Sequence, residues 1–106
     1  MSKEDEDFEA RFASLRETFR ANLSDYHASL ARVRSAFHNS GDDGVRDLKS
    51  LAHSLAGSAG TFGFPEIGEV AFEVEAAADA ALAREDSREA VIGPLRQLIR
   101  EIELSL

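Results

Sequence analysis

Cysteine and tryptophan are absent from this 106-residue chain, and proline occurs only twice. Without cysteine there is no disulfide framework and no thiolate metal site, so a reducing, cytoplasmic setting is expected. Two prolines and seven glycines leave long stretches with nothing to interrupt a helix. No apolar run approaches the ~20 residues of a membrane span, and the start Met1-Ser2-Lys3-Glu4-Asp5-Glu6-Asp7 is too acidic for a secretory signal. Basic residues are scarce as well, 12 against 20 acidic ones, for a formal charge of −8. Such a field repels phosphate backbones and anionic lipid, which argues against nucleic acid and membrane surfaces as partners.

The chain has the length of one domain, enough to bury roughly two-thirds of the surface that it exposes unfolded. Its apolar residues recur every three or four positions, the period of a helix and not of a strand. From residue 8 to 37 the series is Phe8, Phe12, Leu15, Phe19, Leu23, Tyr26, Leu30, Val33 and Phe37, which predicts core-facing residues on one long helix or two collinear ones. A break is expected near Ser24-Asp25, a good helix start. Asn39-Ser40-Gly41-Asp42-Asp43-Gly44 is the strongest stop signal, with Asp42 or Asp43 to cap a helix over about 45–61. Gly63-Phe64-Pro65 is the next turn, and Pro65 suits a first helical position. A helix over 65–84 follows, with Ile67, Val70, Ala71, Val74, Ala78 and Ala81 inward. Glu85-Asp86-Ser87 makes a loop and cap. The last helix carries Val91, Leu95, Leu98 and Ile102, and Gly93-Pro94 should kink it or delay its start. The fold class is therefore all-α: a single domain of antiparallel helices in a bundle.

On a wheel of ~100° per residue, Val45, Leu48, Ala52, Leu55, Ala59 and Phe62 fall in one stripe, and His53 lies roughly 140° away from it, facing solvent. Arg46 and Lys49 precede it on the same face, and Ala56, Gly57 and Gly60 follow. Helical side chains lean toward the N-terminus, so residues 56 and 57 would lean over the imidazole. Here they are too small to cover it. Glycine inside a helix costs about 0.5–1 kcal/mol against alanine, so Gly57 and Gly60 point either to access around His53 or to close helix packing. A neutral imidazole is a capable nucleophile, and its bond to phosphorus is labile enough to pass a phosphoryl group on. Lys49 and Arg46 would attract that group electrostatically. The face offers no carboxylate cluster, so Mg²⁺ and an acceptor aspartate would come from a partner.

The segment Ala52-His53-Ser54-Leu55-Ala56-Gly57-Ser58-Ala59-Gly60-Thr61-Phe62-Gly63 resembles the signature of histidine-containing phosphotransfer (HPt) domains, roughly A-H-x-L-K-G-x-A followed by a glycine at the helix end. The resemblance implies an antiparallel four-helix bundle, here with an additional N-terminal helix or helix extension. It implies phosphorylation on His53, with Gly57 as the small residue that opens the surface and Gly63 as the turn glycine. Glu73-Val74-Glu75 resembles the acidic end of the family's following helix. One position departs: the lysine that usually stands three residues after the histidine is Ala56, which leaves Lys49 as its substitute. The implied role is a phosphocarrier in a two-component phosphorelay, taking the group from an aspartate of a receiver domain or hybrid histidine kinase and giving it to another receiver. No kinase activity is expected, since no glycine-rich nucleotide loop is present. No cofactor is expected, and the chain should be a monomer. The alternative is an unphosphorylated helical adaptor that docks a signalling partner through the same face.

His27 and His38 raise the question of a metal, but neither has another histidine three or four residues away, and no metal is expected. His38 suits a helix C-terminus as a cation. Phe72 lies roughly 140° off its helix's inner stripe, a position open to solvent, and contact with a neighbouring helix is expected ahead of a docking role.

Overall fold

The structure, a computed structural model, describes residues 2–106. Every regular element among them is helical: α1 (Lys3–Ser58), α2 (Pro65–Leu82), a 3₁₀ turn (Arg88–Val91) and α3 (Ile92–Ser105). The Ser2 hydroxyl caps α1 by accepting from the Asp5 amide at 3.2 Å, and Glu4, Asp5 and Glu6 place negative charge at the positive helix end. No break occurs at Ser24. The stripe Leu23, Tyr26, Leu30 keeps its period through that point, and burial of such a stripe outweighs the weak preference of serine and aspartate for a cap.

The stop signal at 39–44 acts through one residue. Gly41 has φ 57° and ψ −137°, non-helical values that divide α1 into arms 3–40 and 42–58. Positive φ comes without steric penalty only to glycine. The second arm doubles back along the first: Ala36 and Ser40 share a groove with Gly44 and Asp47, and Phe19 stacks on Phe62 with ring centroids 5.4 Å apart. Neither expected cap forms, because Asp42 binds Arg84 and Asp43 binds Arg46 instead.

One core joins both arms, α2 and α3, and it includes Phe19, Leu30, Val45, Leu55, Val74 and Leu98. All six residues assigned to the inner stripe of α2 are buried, as are Val91, Leu95, Leu98 and Ile102. The N-terminal part of the apolar series departs from expectation: Phe8, Phe12 and Leu15 are exposed. At 1.5 Å per residue, the 3–40 arm outruns its shorter neighbours and projects past them, setting the 53 Å long dimension of the described residues. There Phe8 stacks on Phe12 with centroids 6.4 Å apart, and Phe12 in turn reaches Phe62 at 5.9 Å.

Two helix ends share one hydrogen-bond pattern. Regular helix stops at Ser58, short of the expected 61, but Phe64 N–H then reaches Ala59 C=O at 2.8 Å and Gly63 N–H reaches Gly60 C=O at 3.3 Å. Gly63 sits between them at φ 90°, the left-handed residue that this closure requires. At the end of α2, Glu85 N–H reaches Ala80 C=O and Arg84 N–H reaches Ala81 C=O. There the left-handed residue is Arg84, at φ 62°. Pro94 follows the 3₁₀ turn as the third residue of α3, so Gly93-Pro94 delays the helix and does not kink it.

Candidate functional site: the exposed His53 face

Burial of Val45, Leu48, Ala52, Leu55 and Ala59 fixes the rotation of the 42–58 arm, and that rotation turns His53 outward with 77% of its side chain exposed. Its Nδ1 lies 2.5 Å from Oε2 of Glu75, a residue of α2 that is itself only 17% exposed. An ionised carboxylate only accepts, so Nδ1 carries the proton and donates it to Glu75. In the neutral ring Nε2 then keeps its lone pair, and it has no hydrogen-bond partner among the described residues. Glu75 thus selects the tautomer and orients the ring, as a second group orients the base of a catalytic triad.

One turn earlier, Lys49 Nζ lies 2.6 Å from Asp79 Oδ1. Residues 53 and 49 are one turn apart on their arm, and 75 and 79 are one turn apart on α2, so the two pairs form adjacent rungs between helices. The Lys49 ammonium is held above its ordinary pKa, first by the hydrogen bond to Asp79, then by the charges of Asp79 and Glu75, with burial opposing. Both partners of this rung are about half exposed, and such pairs open readily. Arg46 lies nearer the Gly41 end, where Nη1 meets Asp43 Oδ1 at 3.0 Å.

The small residues behave differently from one another. A Cβ built on Gly57 or Gly60 would meet nothing within 4 Å, whereas one on Gly68 of α2 would stand 3.4 Å from the Gly60 amide nitrogen. Gly68 thus stands at ordinary contact distance from the 56–60 segment, and Gly57 and Gly60 face open space. Ala56, Gly60, Pro65, Gly68 and Phe72 line a shallow groove of about 700 Å³ beside the histidine. Phe72 is 64% exposed, as its place off the inner stripe of α2 allows, and it borders that groove in place of the expected packing against a neighbouring helix.

The two other histidines stand apart from this face. His27 Nε2 meets Glu103 Oε1 at 3.0 Å, and His38 presents an edge to the Phe37 ring. Among the described residues no three His, Asp or Glu side chains gather as metal ligands, and no helix is long and apolar enough to cross a membrane.

The Hpt domain family matches residues 14–105. The chain belongs to the Hpt domain family. Comparison with curated proteins and with solved structures returned no match. Hpt domains are helical phosphocarrier modules of phosphorelay signalling, and the matched span holds His53, Lys49, Glu75 and Asp79 together. Glu75 and Asp79 had escaped assignment as site residues. Their signal was a four-residue spacing that mirrors that of Lys49 and His53, and it becomes readable only once α2 is known to pack against the 42–58 arm.

Proposed function

We propose that this chain is a phosphocarrier whose His53 Nε2 accepts a phosphoryl group from a phospho-aspartate of a receiver domain or hybrid histidine kinase and returns it to another receiver. The Nε2 lone pair attacks phosphorus in line, the bond from phosphorus to the aspartyl oxygen breaks, and the aspartate leaves as a carboxylate. The ring becomes formally cationic with its proton still on Nδ1, and the Glu75 carboxylate stabilises that charge. Transfer onward reverses the same atoms. Mg²⁺ at the phosphoryl oxygens belongs to the receiver. We read the two arms of α1 with α2 and α3 as the antiparallel four-helix bundle of the family, with residues before about 19 as the N-terminal extension.

The observation that carries this reading is the exposed imidazole with its Nδ1 against the Glu75 carboxylate and its Nε2 unpartnered among the described residues. Ala56, Gly57 and Gly60 serve access and docking, and the groove past Phe72 is the surface on which the receiver sits. Arg46, like Lys49, contributes positive charge on the approach to His53. The protein acts in the cytoplasm as a monomer. The test incubates the purified chain with a panel of labelled phospho-receivers. Acid-labile, base-stable phosphate should appear on the wild type and not on His53→Gln. Equal labelling of the variant overturns the assignment, and an unlabelled wild type that still binds receivers selects the adaptor role.

A further inference from the structure

We propose that Asp79 is a positioning residue: it stores the Lys49 ammonium one turn from His53 and releases it to the phosphoryl group once that group is in place. This deepens the phosphocarrier reading and rests on it. The argument begins with charge. Before transfer, Glu75, Lys49 and Asp79 together carry −1 around a neutral imidazole; transfer places roughly −1.5 to −2 on the phosphoryl oxygens while Glu75 already balances the cationic ring, so the negative charge beyond Nε2 has no partner. A nearby cation must move to balance it. Within one turn of His53 on its own helix the only cation is Lys49, since positions 56 and 57 are Ala and Gly and Arg46 stands two turns away.

Geometry favours the exchange. His53 leans toward the N-terminal turn of its helix, the turn that holds Lys49. The lysine stem is four flexible carbons, and its three donors suit phosphoryl oxygens. The Lys49–Asp79 rung is about half exposed on both sides, so water competes for it and no buried charge is orphaned when it opens. Glu75 stays on Nδ1 throughout, because the phosphoryl group occupies the opposite nitrogen. The Asp79 carboxylate in turn keeps the free ammonium from wandering into solvent while His53 is unmodified.

The experiment uses phosphoramidate, a small-molecule donor that phosphorylates histidine without a receiver, and follows the full chain by phosphorus NMR across pH. The phosphohistidine resonance titrates with the second ionisation of the phosphoryl group, which a close ammonium shifts to lower pH. Lys49→Gln should move the midpoint upward and shorten the phosphohistidine lifetime several-fold, and Lys49→Arg should restore most of both. Asp79→Asn should move the midpoint downward and lengthen the lifetime. In the Lys49→Gln background Asp79→Asn should have little further effect, because its influence passes through the lysine. An unchanged midpoint in Lys49→Gln overturns the proposal, as does an Asp79→Asn effect of equal size with and without Lys49. A protein that shows these shifts yet takes no label from receivers keeps the lysine exchange and loses the phosphorelay assignment.

Discussion

Arg84 grips Asp42 at two points across 42 residues of chain, Nη1 to Oδ1 at 3.0 Å and Nη2 to Oδ2 at 2.6 Å. This pair ties the end of α2 to the residue that follows the Gly41 reversal. Arg84 holds it from the left-handed region, where a side chain is strained. The fork geometry of a bidentate guanidinium–carboxylate contact offsets that strain.

The Arg84 hydrogen bond, then the charges of Arg84, Arg46 and Arg88, hold the Asp42 carboxyl below its usual range, against some desolvation. A carboxylate with a lowered folded pKa stabilises the fold above its unfolded pKa, and the contribution disappears as pH falls through the folded value. Asp42→Asn should therefore melt lower than wild type at pH 7, with the gap closing as pH falls below the ordinary aspartate range. Thermal melts across pH check this. At pH 7 Arg84→Gly should melt a few degrees above Arg84→Ala, since both lose the pair and only glycine relieves the backbone.

Glu75→Gln keeps an acceptor for Nδ1 but removes its charge. Charged hydrogen bonds are roughly twice as strong as neutral ones, and the difference of about 1.4 kcal/mol corresponds to a tenfold rate. Phosphoryl acceptance by His53 should slow by about tenfold, measured as label transfer from a phospho-receiver, with the melting temperature nearly unchanged.

At Gly57 stability and docking should separate. An added methyl group meets nothing within 4 Å, so Gly57→Ala should stabilise the helix by about 0.5–1 kcal/mol and leave transfer intact. Gly57→Leu should remain folded and lose receiver binding, because its side chain would lean over His53. Denaturant titrations and binding isotherms on the same two variants check both halves.

The projecting arm supplies an internal comparison. Phe19 is buried against Phe62 and Phe64, with centroids at 5.4 and 5.6 Å, so Phe19→Ala should destabilise by about 3–5 kcal/mol. Phe8 is 69% exposed, and Phe8→Ala should change stability by less than about 0.5 kcal/mol. Urea unfolding of the two variants gives the contrast.

Much of this architecture is legible in the sequence, since helices bury periodic stripes: the inner faces of α2, α3 and the 42–58 arm follow from spacing alone, and with them the outward direction of His53. Depth is not legible in the same way. Phe8 and Phe19 occupy equivalent places in one apolar series, and only the lengths of the neighbouring helices decide that one is exposed and the other buried. Nor are cross-helix pairs: Glu75 and Asp79 look like ordinary surface acids until the register of α2 against the 42–58 arm is known. Ser24-Asp25 misled because a cap signal has force only where the chain gains by stopping.

Gly41 has a further consequence for how the chain folds. It joins the two arms through a single non-helical residue, so the hairpin that it makes closes with almost no loop entropy. Among the chain's helix pairings it demands the shortest search, and it should be in place at the transition state while α3 is still docking. Gly41→Ala should then retard refolding by nearly its whole effect on stability, whereas Leu98→Ala should chiefly hasten unfolding, a contrast that stopped-flow chevrons resolve.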